Sequence, residues 1–202
     1  MIDYNKEIQK CAETRDVTYA EELFGMMKRQ GVKPTVATYN VLMKVYSKAR
    51  KEDKVFETFD EMIKEGLKPN VKIFTTAINA CAISPDLDRA LKLRSQMERE
   101  YRLELNVFTY SSLLNVCAKS NDLGMAKKMY QEMSSIGIEE DVVTLNTMID
   151  AYAEATNLEN CLGYFENCMM LVEQAKSGRK PITLNENIYN SQSGTTLSFF
   201  MS

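Results

Sequence analysis

Thr38-Tyr39-Asn40-Val41-Leu42 returns as Ile73-Phe74-Thr75-Thr76-Ala77, as Thr109-Tyr110-Ser111-Ser112-Leu113 and as Thr144-Leu145-Asn146-Thr147-Met148. Asp3-Tyr4-Asn5 makes the same start at the N-terminus. The aromatic or leucine of each start stands at 4, 39, 74, 110 and 145, so the steps are 35, 35, 36 and 35 residues. Such a fixed period marks an array of one supersecondary unit, and it outranks any local reading of the chain. The single step of 36 falls where Glu100-Tyr101-Arg102-Leu103 carries one residue more than the glycine turns elsewhere.

The second half of each unit keeps the same register. A small residue stands at Ala20, Val55, Ala90, Ala126 and Cys161. A bulky one follows at Phe24, Phe59, Tyr130 and Phe165, with Arg94 as the exception. Met27, Met62, Met97 and Met133 repeat in step. Gly31-Val32-Lys33-Pro34, Gly66-Leu67-Lys68-Pro69 and Gly137-Ile138 then close the units. Glycine takes the left-handed conformation just past a helix, and proline cannot continue one.

Each unit therefore reads as two helices. In the second unit, helix A runs over 36–49 with Tyr39, Leu42, Met43 and Tyr46 on one face. Helix B runs over 53–65 with Val55, Phe56, Phe59, Met62 and Ile63. One hairpin cannot bury both apolar stripes, so neighbouring hairpins must stack. The spacing divides the chain into 1–35, 36–70, 71–106, 107–141 and 142–181. A further stretch, 182–202, reads as an irregular tail or the start of another unit. In the fifth unit, helix B continues over 158–175, and Gly178-Arg179-Lys180-Pro181 is a delayed stop. Thr183-Leu184-Asn185 and Ile188-Tyr189-Asn190 both look like a unit start, and the sequence does not choose between them. At the other end the chain begins within a helix A with no capping residue ahead of it, as expected of a piece of a longer array.

Composition narrows the chemistry. Of 202 residues, 45% are apolar and 26% charged, a folded-protein profile. No stretch approaches the ~20 apolar residues of a membrane-spanning helix, and no secretory or transit segment is visible. The chain has no histidine, which removes Ser-His-Asp triads, Cys-His dyads and histidine zinc sites. The five cysteines form no C-x-x-C pair. Cys11, Cys81 and Cys117 share one position of helix A and read as small packing residues, as does Cys161. No acid pair is placed for general acid–base work and no aspartate cluster suggests a metal-dependent nuclease. The expectation is a non-enzyme with no cofactor, no metal, no membrane partner and no small-molecule substrate.

A degenerate hairpin of about 35 residues opening on Thr-Tyr-Asn, with a small residue inside helix B and a Met-x-x-x-Gly-x-x-Pro close, resembles the pentatricopeptide repeat family. It is similar to the plain class, in which all repeats have one length. The tetratricopeptide repeat is the rival, but its Trp-x-x-Leu-Gly opening is absent and the chain has no tryptophan. The resemblance implies an all-α, right-handed α-α superhelical solenoid. It further implies binding to single-stranded RNA at about one base per repeat, in a mitochondrion or chloroplast, where such proteins act in RNA stabilisation, processing or translation.

By the resemblance, the fifth and last residues of each repeat form the base-reading pair, and the second residue packs on the base. The pairs are Asn5 with Thr35, Asn40 with Asn70, Thr75 with Asn106, and Ser111 with Asp141. Asn146 lacks a clear partner in the irregular tail. The family's preferences give pyrimidine–C–A–G–pyrimidine. Ile2, Phe108 and Val143 are the stacking residues, while Ala37 and Lys72 stand at that position without the usual aliphatic bulk. Lys44, Lys48 and Lys119 would face phosphate, but their counterparts are Glu13, Ile83, Asp150 and Glu154. With a net charge of −3, this is a thin electrostatic groove. Two other functions stay open. One is a protein–protein scaffold, which the acidic balance favours. The other is the RNA-recognition array of a longer processing enzyme. Asn and Thr at helix starts also have a purely structural use, capping free amides.

Overall fold

The computed structural model describes residues 3–154, which contain nine α-helices and no strand. The expected second helix of the fifth repeat, its delayed stop, Cys161, Cys168 and the tail lie outside the described residues, as does Ile2. The chain divides into two units, 1–116 and 117–202.

In the first unit the helices are α1 (Tyr4–Thr14), α2 (Val17–Arg29), α3 (Val36–Lys48), α4 (Glu52–Lys64), α5 (Val71–Ala80) and α6 (Leu87–Arg99), followed by the opening turns of α7 (Val107–Lys119). Each A helix packs on its own B helix, and α1 packs on α3 as α3 packs on α5. The B helices α2 and α4 also touch the A helix of the next repeat. The second unit contains the end of α7, then α8 (Leu123–Ser135) and α9 (Val142–Glu154), with α8 packed against α9.

The repeated side chains are the core. Tyr39, Leu42, Met43 and Tyr46 are buried, as are Val55, Phe56, Phe59 and Met62 on the facing helix. Met27, Met62, Met97 and Met133 are buried at the equivalent position of four B helices. Each such side chain contributes about 1.5–3 kcal/mol by leaving water. The position-24 residue meets the aromatic that opens the next repeat. Phe24 meets Tyr39 edge-on with centroids 5.6 Å apart, and Phe59 meets Phe74 at 5.5 Å. Ala20, Ala90 and Ala126 are fully buried on their B helices.

The hairpins end as their glycines require. Gly31, Gly66 and Gly137 have φ of 73°, 79° and 77°. The residue after each donates its backbone N–H back to Met27, Met62 or Met133, satisfying a terminal carbonyl of the helix. In the longer third repeat Arg102 takes the left-handed role at φ 54°, and the extra length lets the Tyr101 ring lie against Phe74 at 5.3 Å.

The turns inside the hairpins use no glycine. Arg15, Arg50 and Asn121 are left-handed there, with φ of 58°, 56° and 54°. Pro85 occupies that register in the third repeat and cannot adopt positive φ. Helix α5 accordingly stops at Ala80, after 10 residues, where α3, α7 and α9 run to 13. Asp16, Asp86 and Asp122 then accept a backbone N–H and cap α2, α6 and α8. Lys51 stands at this position before α4 and provides no side-chain cap.

One expectation needs correction. Helix α1 does have a capping residue: Asp3 accepts the Lys6 backbone N–H at 3.2 Å. Asp3 holds the register of Thr38, Ile73, Thr109 and Thr144, so this cap sits three residues deeper than those of α3, α5, α7 and α9.

Candidate nucleic-acid interface

The last residue of each of the first four repeats is the N-cap of the following A helix. Helix α3 is capped by Thr35, whose Oγ1 accepts the Thr38 backbone N–H at 3.4 Å; the Thr38 Oγ1 in turn accepts the Thr35 N–H at 3.1 Å. Asn70 Oδ1 accepts the Ile73 N–H at 3.1 Å. Asn106 Oδ1 accepts both the N–H and the hydroxyl of Thr109, each at 3.1 Å. Asp141 Oδ1 accepts both from Thr144, at 2.8 and 2.7 Å. Capping and base reading were alternatives for these residues, and the geometry makes them compatible. The cap engages a single atom, Oδ1.

That single bond decides what the other atom is. A backbone N–H is only ever a donor, so the cap must present oxygen to it. In Asn70 and Asn106 the amide is thereby oriented with Nδ2 away from the helix, and Nδ2 makes no hydrogen bond among the described residues. In Asp141 the remaining atom is the acceptor Oδ2. An asparagine cap thus offers donors alone, and an aspartate cap offers an acceptor alone. Thr35 has one oxygen, already used, and offers a methyl group instead.

The fifth-position residues lie along the A helices. Asn40 Oδ1 is 3.1 Å from the Thr76 hydroxyl of the next repeat, whose hydrogen is shared with Lys72 O at 2.9 Å. The Thr75 hydroxyl donates to Val71 O at 2.8 Å and lies 3.1 Å from Thr109 Oγ1. Ser111 is largely buried and donates to Val107 O at 2.8 Å. Asn5 Oδ1 is shielded from solvent without a hydrogen-bond partner among the described residues. Val41 of the next repeat stands where Thr76 serves Asn40. Asn146 is half-buried on α9.

Thr75 and Asn106 are brought together, since both bond Thr109. No hydrogen bond joins Asn5 to Thr35 or Asn40 to Asn70 among the described residues. Ser111 and Asp141 fall in different units, and each stands as described above.

At the second position Phe108 is 65% exposed and Val143 is 54% exposed, a state that large apolar side chains leave when a surface is covered. Ala37 and Lys72 are exposed as well. Lys44, Lys48 and Lys119 are exposed with no ion-pair partner among the described residues. Asn79 and Asn115, at the register of Lys44, bridge neighbouring A helices through their amides at 3.4 Å.

Sequence reasoning missed the threonines that bond the expected reading residues. Thr38, Thr109 and Thr144 recur in the opening motif, and that recurrence was the available signal. The cysteines of helix A are buried and free. Burial pushes the Cys81 and Cys117 thiols up to about 12 and raises Cys11 as well, which leaves them neutral and inert as nucleophiles. Among the described residues no cluster of Cys, Asp and Glu is placed to hold a metal ion, and no helix is long and apolar enough to cross a membrane.

Residues 2–176 match the family described as the pentacotripeptide-repeat region of PRORP. A pentatricopeptide repeat-containing protein of Arabidopsis thaliana is 28% identical over 141 residues, covering 69% of this chain and 32% of that protein. The mitochondrial 15S rRNA processing factor CCM1 of Yarrowia lipolytica is 26% identical over 145 residues, covering 69% of this chain and 19% of that protein. The chain thus spans a third or less of the length of these relatives. Among solved structures, the pentatricopeptide repeat protein PPR10 in complex with an 18-nt psaJ RNA element superposes with a TM-score of 0.73 at 22% identity, over 85% of this chain and 25% of that one. The pentatricopeptide domain of Arabidopsis thaliana protein-only RNase P 1 in complex with tRNA gives 0.64 at 18% identity, over 98% and 96%. The match over most of its length, together with the repeated hairpins and their capped A helices, shows that this chain belongs to the pentatricopeptide repeat family.

Proposed function

We propose that the chain is a sequence-selective module for single-stranded RNA that contacts about one base per repeat, in organellar RNA stabilisation, processing or translation. The observation that carries this is the state of the capping side chains: Oδ1 is tied to the helix and one polar atom is left over at Asn70, Asn106 and Asp141. At the centre of the Watson–Crick edge, adenine N1 and cytosine N3 are acceptors, while guanine N1 and uracil N3 carry hydrogen. A cap offering only donors favours A or C. A cap offering only an acceptor favours G or U. With a small hydroxyl residue at the fifth position favouring a purine and asparagine a pyrimidine, the array reads pyrimidine–C–A–G–pyrimidine in the 5′ to 3′ direction. Phe108 and Val143 pack on the faces of the bases, and Lys44, Lys48 and Lys119 meet phosphate.

The relatives agree in chemistry: PPR10 is seen with an RNA element, and the Yarrowia lipolytica protein is named as an rRNA processing factor. Several other relatives are named as chloroplastic or mitochondrial. The test is a titration with a ~10-nucleotide strand containing C-A-G against a scrambled strand, at low and physiological salt. Selective binding that weakens with salt is the expected result. Equal or absent binding overturns the proposal and favours the scaffold reading.

A second reading rests on the near-complete overlap with the RNase P domain seen with tRNA. The array then grips a folded RNA for a catalytic part elsewhere in a longer protein. Tighter binding to tRNA than to any single strand would favour it.

A further inference from the structure

We propose that Thr109 is a positioning residue for base recognition, its hydroxyl joining Thr75 and Asn106 into one hydrogen-bonded unit. The inference rests on the RNA reading above and adds a third residue to the pair.

Thr109 is fully buried, so its hydroxyl must find its partners within the protein. Both partners are reading residues. Its Oγ1 lies 3.1 Å from Asn106 Oδ1 and 3.1 Å from Thr75 Oγ1. The hydrogen of Thr75 is directed to Val71 O at 2.8 Å, so Thr75 Oγ1 faces Thr109 as an acceptor. The single Thr109 hydrogen is within reach of both reading oxygens and is shared between them. Thr75 and Asn106 are thereby held against the same buried atom.

The consequence is a stiffer reader. Turning the Asn106 amide over would place Nδ2 against the Thr109 N–H, as it would against the Ile73 N–H at Asn70. The hydroxyl adds a tether and not a lock against that flip, because it can accept from Nδ2 as well as donate to Oδ1. At Asn70 there is no such tether, because isoleucine has no hydroxyl. Asn40 and Asn70 also have no linking atom. The chain thus contains its own comparison: two repeats with the same capping asparagine, of which one is tethered to its fifth-position residue and one is not. Discrimination at the third base should exceed that at the second. Thr144 holds Asp141 by the same two bonds, at 2.8 and 2.7 Å, so the device recurs in the second unit.

The experiment measures the affinity of the full chain for ~10-nucleotide strands that differ at the second or third base alone. Wild type is expected to prefer A to G at the third base. Thr109→Val keeps the shape and removes the hydroxyl. It should lower that preference on the order of threefold to tenfold, the weight of one hydrogen bond, and Thr109→Ser should restore it. Ile73→Thr is the converse and should raise discrimination at the second base. If wild type has no preference at the third base, the RNA reading itself fails. If wild type prefers A and Thr109→Val prefers it equally, or weakens every strand alike, Thr109 is only a packing residue and the inference is overturned. Should Thr109→Val not fold, Ile73→Thr decides: no gain at the second base overturns the proposal.

Discussion

Arg94 lies over the ring of Tyr110, with Cζ 5.9 Å from the ring centroid, where Phe24 meets Tyr39 and Phe59 meets Phe74 edge-on in the preceding repeats. The planar guanidinium replaces an aromatic ring in the contact between a B helix and the next A helix. Its Nε also donates to Glu98 Oε2 at 3.3 Å, one turn on.

Arg94→Ala should therefore lower the stability of the chain by about 1 kcal/mol through lost stem packing and cation–π attraction. Arg94→Phe should match or exceed wild type, because it restores the contact the other repeats make. Urea unfolding of the three proteins checks this. Equal losses for both variants would show that Arg94 acts through Glu98 and not through Tyr110.

Lys51 occupies the position at which Asp16, Asp86 and Asp122 cap the other B helices, and α4 has no side-chain cap. Lys51→Asp should supply one and raise stability by about 1 kcal/mol, less a few tenths from repulsion by Glu52 and Asp53. Lys51→Ala separates the gain of a cap from the loss of a cation, and it should change little. A fall in the unfolding midpoint for Lys51→Asp would contradict the account of the turn.

The Cys81 and Cys117 thiols are held neutral to about 12 by burial, against an ordinary value near 9. A raised value means that the native state keeps protons the unfolded chain has lost. Stability from these groups is thus complete below pH 9 and falls as pH climbs from there toward 12. Unfolding midpoints between pH 7 and 10.5 should turn downward above pH 9, and Cys81→Ala with Cys117→Ala should reduce that slope. At pH 8, iodoacetamide should leave the Cys81 and Cys117 peptides unmodified in the native protein and label both in urea. Rapid labelling of either native cysteine would contradict its burial.

The parts of this fold that were legible in the sequence are those in which one residue type has one physical use. Gly31, Gly66 and Gly137 end hairpins because positive φ is needed there, and their spacing sets the repeat. The buried stripe of α3 and α4 follows from residues at helical spacing, and the helices lie within one residue of the spans read from it. The turns within hairpins were not legible as such. Arg15, Arg50 and Asn121 take positive φ only because the packed helices on both sides hold them there. The short α5 follows from Pro85, whose effect depends on knowing that its neighbours in register are left-handed. Asp3 was overlooked as a cap because its counterparts at that register follow their caps by three residues.

For the site, the period locates the fifth and last residues of each repeat and the family resemblance gives them a proposed role, but the bonds their side chains make were not legible. Asn106 could cap a helix or meet a base, and only the geometry reveals that its Oδ1 does the first and that Nδ2 has no hydrogen-bond partner among the described residues. Thr109 looked like one more helix-opening threonine. Its link to Thr75 crosses from one repeat to the next, and no pattern within a single repeat contains it.

The central claim is that the capping side chain presents one leftover atom to the base, and exchanging that atom tests it most directly. Asn106→Asp and Asp141→Asn keep the cap and swap donor for acceptor. Affinities for strands carrying each of the four bases at the third and fourth positions should show Asn106→Asp moving the third preference from A to G, and Asp141→Asn moving the fourth from G to A. Variants that stay folded and keep the wild-type preference at both positions would contradict the account.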